Sequence, residues 1–140
     1  MKKLINKVKS KIRFSEVDSM KVVWHGNYLK FLEDGREAFG KQYQLGYYDV
    51  FDQGFMTPIV KMDLNYKNAL SYLDEITIET EFINTDAAKI VFDYRIFRVS
   101  DNKLVLTANS TQAFIDLEGT LQLTNPDFYI QWKKRWGLPS

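Results

Sequence analysis

The sequence predicts an α+β domain: one antiparallel sheet of five long strands, one long helix after the first strand, and a short C-terminal helix. Three observations predict it. Apolar residues recur with period two in the strand stretches but take helical spacing in one long stretch after the first strand. The links between later strands are short and rich in Asn and Asp, which forces neighbours antiparallel. The length, 140 residues, suits one domain spanning 1–140 with a single core.

The first strand is expected within residues 4–15. Val8, Ser10, Ile12 and Phe14 alternate there with Lys9, Lys11, Arg13 and Ser15, the pattern of a half-buried strand. From about Asn27 to Tyr43 the period changes. Tyr28, Leu32, Gly35 and Phe39 form one helical stripe, broadened by Phe31, Ala38 and Gln42. Gly35 in mid-helix costs about 1 kcal/mol relative to Ala, so it implies close approach of the helix to a sheet. A short helical turn is expected over 47–53, stopped by Gly54.

Thr57-Pro58 opens the next strand, Ile59 to Tyr66; proline is tolerated at a strand start. Glu75 to Ile83 alternates cleanly. Ala88 to Val99 is more apolar and is expected to lie centrally. Lys103 to Leu117 is too long to stay straight and is expected to bend or bulge. Asn125-Pro126-Asp127 starts a terminal helix over about 126–136, which carries Phe128, Ile130, Trp132 and Trp136.

Composition narrows the chemistry. With no cysteine there is no disulfide, thiolate ligand or cysteine nucleophile, and a reducing, cytoplasmic setting is expected. A single histidine rules out a multi-histidine metal site within one chain, so no metal is expected. The net charge of +1 gives no global attraction to nucleic acid. No stretch reads as a signal peptide or membrane span. Lys2, Lys3, Lys7, Lys9, Lys11 and Arg13 form a cationic start without an acid. They protect an edge strand or attract an anionic ligand. Ten Phe, eight Tyr and three Trp furnish a core of large side chains or an apolar ligand pocket.

The chain is organised around RFSEVDSMKVVWHGNYLKFLEDGR, residues 13–36. It runs from strand through loop into helix and holds Asp18 in the loop and His25 at the helix start. By itself, an aspartate in such a loop is a turn former or a helix cap. Beside a helix N-terminus, whose N–H groups lack partners, it could also attack a carbonyl or activate water to do so. The spacing D-x4-V-x-H-x-N-Y, with Glu33 and Arg36 further on, resembles the acyl-CoA thioesterases of the hotdog fold, in particular the 4-hydroxybenzoyl-CoA thioesterase group. The similarity runs from about Ile12 to about Leu117.

The resemblance implies a sheet wrapped around one long central helix, and assembly into homodimers or homotetramers. It implies hydrolysis of an acyl thioester, carried by coenzyme A or by an acyl carrier protein. Coenzyme A is then part of the substrate, and no separate cofactor is required. The family's catalytic aspartate corresponds to Asp18, as nucleophile or general base. The N–H that polarises the thioester carbonyl corresponds to His25, whose side chain either orders the loop or contacts substrate. Trp24, Gly26, Asn27, Tyr28 and Pro58 complete the expected substrate-binding set. Asn27 is expected to cap the helix, and Tyr28 to pack. Trp24 stands where relatives often carry Tyr or Phe, and Pro58 matches a segment that in relatives lines the neighbouring subunit's pocket. Glu33 and Arg36 are expected to form an i,i+3 ion pair. Lys61, Lys67, Lys89 and Arg98 are candidates for the coenzyme phosphates by charge alone.

The chemistry demands little. A thiol near pKa ~8.5 leaves readily as thiolate, so a carboxylate and an oxyanion site suffice. The competing reading is a module of the same fold that binds acyl-CoA without turning it over. A dehydratase or hydratase ranks behind it, because His25 belongs to the aspartate motif.

Overall fold

The computed structural model describes residues 3–139, so Lys2 lies outside the described residues. Five strands form one antiparallel sheet: β1 (Ile5–Lys11), β3 (Ile59–Tyr66), β4 (Glu75–Ile83), β5 (Lys89–Arg98) and β6 (Lys103–Ala113), in the order β1-β4-β5-β6-β3. Two short strands, β2 (Phe55–Met56) and β7 (Ile115–Asp116), pair separately. The helices are α1 (Tyr28–Tyr43), α2 (Tyr47–Phe51) and α3 (Asp127–Arg135).

Alternation decides which face of the sheet is covered. Ile76, Ile78, Thr80 and Phe82 of β4 and Ile90, Phe92, Tyr94 and Ile96 of β5 are buried on the inner face. The stripe Tyr28, Phe31, Leu32, Gly35 and Phe39 of α1 is buried in the same cluster. Gly35 has the role its sequence position implies. A Cβ built there would lie 2.5 Å from Thr80 Oγ1 and 2.9 Å from Ile78 Cγ2. Only glycine lets the helix backbone come this close to β4. The outer face is polar and ion-paired. Arg95 donates to Glu79 and Glu81, both at 3.0 Å, and Lys7 lies 3.7 Å from Glu79.

The far end of α1 is held by α3. Trp132 and Trp136 both donate their indole N–H to the Tyr43 carbonyl, at 2.7 and 3.0 Å. That carbonyl lies in the last helical turn, where intrahelical donors run out. Tyr129 of α3 is buried as well.

Two expectations need correction and one is met. Strand β1 ends at Lys11, paired with Glu75, and does not reach Ser15. The chain then turns into a short 3-10 segment, Phe14–Glu16, and Phe14 is 73% exposed. The long last strand bends as expected: its pairing with β5 shifts register at Ile96/Phe97, and after the buried Phe114 its continuation, β7, joins β2. Glu33 and Arg36 form no ion pair among the described residues. Arg36 Nη1 instead donates to the Tyr94 hydroxyl at 3.2 Å, which shares a hydrogen bond with Ser110 Oγ at 2.7 Å.

Candidate active site at the start of the long helix

After β1 the chain is fixed point by point. Ile12 N–H donates to the Asp74 carbonyl at 2.8 Å, and Val23 N–H to the Leu70 carbonyl at 2.8 Å. Val17 and Val23 pair as an isolated antiparallel bridge. Between them Asp18 N–H donates to the Val22 carbonyl and Lys21 N–H to the Asp18 carbonyl, both at 2.9 Å. Lys21 takes φ 62° to close the turn.

Asp18 is exposed. Its Oδ1 accepts from Met20 N–H at 2.8 Å and more weakly from Val22 N–H at 3.4 Å. Its Oδ2 has no hydrogen-bond partner among the described residues. The turn-forming role and the chemical role therefore coexist: one oxygen orders the loop and the other faces outward.

The helical run starts at His25, just beyond the Asp18–Lys21 turn. His25–Asn27 form a 3-10 turn that runs directly into α1. Asn27 N–H donates to the Trp24 carbonyl at 2.9 Å, the first bond of this turn. The N–H groups of His25 and Gly26 come before it and lack intrahelical acceptors. The dipole of the 16-residue helix adds positive potential there.

The side chains of the motif take different roles. His25 is exposed; its ring lies 5.2 Å from that of Trp24, and its carbonyl accepts from the Tyr66 hydroxyl at 3.4 Å. Trp24 is 55% exposed. Its six-membered ring lies over Gly26, where a side-chain Cβ would overlap it. Tyr28 is buried against Phe31 and Tyr66, so it packs as expected, and burial pushes its hydroxyl pKa up. Asn27 does not cap the helix. Its Nδ2 donates to the Glu16 carbonyl at 2.9 Å, across the base of the loop. An extra acceptor within reach has displaced the capping geometry.

Pro58 lies apart from this group. It lines a cleft of about 700 Å³ together with Arg36, Tyr47, Val50, Phe92 and Gln112. Neither Asp18 nor any residue from Trp24 to Tyr28 lines that cleft. One chain thus separates its candidate reacting groups from this mostly apolar cleft.

Of the phosphate candidates, Arg98 is engaged elsewhere. It pairs with Asp101 at 2.7 Å and donates to the Ala69 carbonyl at 2.7 Å. The guanidinium holds the Asp101 carboxyl down to about 2. Lys61 lies 3.7 Å from Asp63, whereas Lys67 and Lys89 are exposed. No group of three or more potential metal ligands occurs among the described residues. No helix among them is long and apolar enough to cross a membrane.

The family model for the thioesterase-like superfamily matches residues 12–133. This chain belongs to that superfamily. YneP of Bacillus subtilis (strain 168), provisionally named an acyl-CoA thioesterase, is 28% identical over 134 residues, 93% of this chain and 96% of that protein. The 4-hydroxybenzoyl-CoA thioesterase of Pseudomonas sp. strain CBS-3 superposes with a TM-score of 0.78 at 25% identity, covering 91% of this chain and 98% of that one. Slr0204 of Synechocystis, a 1,4-dihydroxy-2-naphthoyl-CoA thioesterase, gives a TM-score of 0.82 at 16% identity over 96% of this chain and 99% of that chain. The sheet wrapped around a central helix is thus the hotdog fold of these thioesterase-superfamily structures.

Proposed function

We propose that this chain hydrolyses acyl-CoA thioesters to a carboxylic acid and free coenzyme A, with Asp18 as the reacting carboxylate. One observation carries the assignment. Asp18 Oδ1 is tied down by backbone N–H groups while Oδ2 is free, on a loop tied to the helix start where Asn27 Nδ2 donates to the Glu16 carbonyl. The His25 and Gly26 N–H groups supply donors for the oxyanion that develops on the thioester carbonyl.

Two routes balance. In the first, Asp18 Oδ2 attacks the carbonyl carbon, the thiolate leaves, and water cleaves the resulting anhydride. In the second, Asp18 takes a proton from water as the water oxygen attacks, and the proton ends on the departing sulfur or in solvent. Labelled solvent oxygen in a single turnover separates them, since only the first route places label in the enzyme carboxylate. The cysteine-free sequence supports a cytoplasmic setting. An acyl carrier protein thioester would present the same reacting group.

The test is thiol release from a panel of short-chain, long-chain and aromatic acyl-CoAs. Turnover of at least one member is expected. Binding without any thiol release would favour the non-catalytic acyl-CoA module instead.

A second copy of the chain is part of this proposal. Strand β3 stands at the sheet edge and is paired only with β6 among the described residues; Ile59, Val60 and Tyr66 on it are exposed. An unpaired apolar edge favours pairing with another strand. Joining two β3 edges would extend the sheet and bring one chain's Pro58 cleft towards the other's Asp18 loop. Sedimentation should give the mass of two chains, or four if dimers stack. A one-chain mass at micromolar concentration would remove this part of the reading.

A further inference from the structure

We infer that Glu16 is a positioning residue, which locks the Asp18 loop to the start of α1 in the geometry for attack. The inference rests on the assignment of Asp18 as the reacting group. Glu16 is 2% exposed and is the one fully buried acid among the described residues. Burying a carboxylate is costly unless it is paired and hydrogen-bonded. This one is held on every side. Its Oε1 accepts from Arg13 N–H at 2.7 Å and lies 3.9 Å from Arg13 Nε. Its Oε2 lies 3.6 Å from Lys30 Nζ. Its main-chain carbonyl accepts from Asn27 Nδ2 at 2.9 Å and Trp24 N–H at 3.2 Å.

These contacts sort by what they join. The carboxylate links the exit of β1, at Arg13, to the first turn of α1, at Lys30. The carbonyl links the same residue to both ends of the turn that carries the His25 and Gly26 N–H groups. Asp18 follows two residues later. Reacting carboxylate and oxyanion donors are thus referenced to one buried side chain. Attack on a carbonyl depends steeply on that relative placement, and a displacement of about 1 Å can cost about 10²-fold in rate. Glu16 itself is buried and does not touch substrate.

The experiment compares Glu16→Gln, Glu16→Ala, Asp18→Asn and the Glu16→Ala/Asp18→Asn double variant. It measures kcat and KM for coenzyme A release, with the folded fraction followed by circular dichroism at the assay temperature. Glu16→Ala is expected to lower kcat by about 10²-fold per folded enzyme with KM changed less than about threefold. Glu16→Gln, which still accepts from Arg13 N–H, should recover about tenfold of that loss. In the Asp18→Asn background, Glu16→Ala should change the residual rate by less than about threefold, because the positioned group is already gone. If Glu16→Ala does not fold, the kcat of Glu16→Gln decides, with a loss of about tenfold expected. Wild-type kcat in the folded Glu16 variants beside an inactive Asp18→Asn overturns this inference alone. So does a loss wholly explained by unfolded protein. Wild-type activity in Asp18→Asn overturns both it and the assignment of Asp18.

Discussion

Asp18→Asn is expected to cut thioester hydrolysis by about 10²- to 10⁴-fold, with the protein still folded. At about 1.36 kcal/mol per tenfold, that is about 3–5 kcal/mol of lost transition-state stabilisation. The substitution isolates the chemistry. Asparagine presents an amide oxygen where Asp18 Oδ1 accepts from Met20 and Val22 N–H, so the turn keeps its hydrogen bonds. It loses the free carboxylate oxygen, and with it the nucleophile or the base. The side chain is exposed and contributes nothing to the core, so the melting temperature should change little. Thiol release and thermal melts of both proteins check this. Equal rates in wild type and variant would show that Asp18 is only a turn former, the role its loop position alone suggests.

Phe39→Ala is expected to destabilise the fold by about 3–5 kcal/mol. Phe39 is fully buried at the C-terminal end of the stripe that α1 lays on the sheet. Its ring centroid lies 4.6 Å from that of Tyr43, 4.9 Å from Phe92 and 6.4 Å from Phe82. Truncation removes three ring contacts at once, and rigid β4 and β5 backbones cannot close over the space. Native domains hold only about 5–15 kcal/mol of stability, so the loss would be a large share of the total. Urea denaturation measures it as a lower midpoint at constant slope. A shift below about 1 kcal/mol would mean that the neighbouring aromatics refill the cavity. Because the 3-10 turn carrying the His25 and Gly26 N–H groups runs directly into α1, activity should fall at temperatures where this core begins to melt.

Local sequence determined much of this architecture. The β3 and β4 boundaries follow from period-two patterning, Pro58 and the turn residues, because strand alternation needs only neighbours to be legible. The α1 stripe was legible for the same reason at helical period, and Gly35 pointed to close contact with a sheet because nothing else offsets its cost. The Asp18 to Tyr28 motif was legible as a unit, since a loop feeding a helix start is a local event.

What remained open depended on partners distant in sequence or on several residues competing for one contact. Phe14 fits the alternation of β1, yet Glu16 captures Arg13 N–H and turns the chain out of the sheet before that position is reached. Asn27 is a good capping residue, but the Glu16 carbonyl eleven positions earlier offers its side chain another acceptor. Arg36 and Glu33 have the spacing of an ion pair; folding instead places Tyr94, 58 residues away, beside the guanidinium. Glu16 left one faint trace, an acid three residues after Arg13, and only its burial reveals its importance. The sequence by itself determined the five long strands, the helices and the motif, because those follow from short-range periodicity and local hydrogen bonding. Only the tertiary structure decided which polar groups meet and that Pro58 lies away from Asp18, because such contacts depend on how the chain folds back on itself.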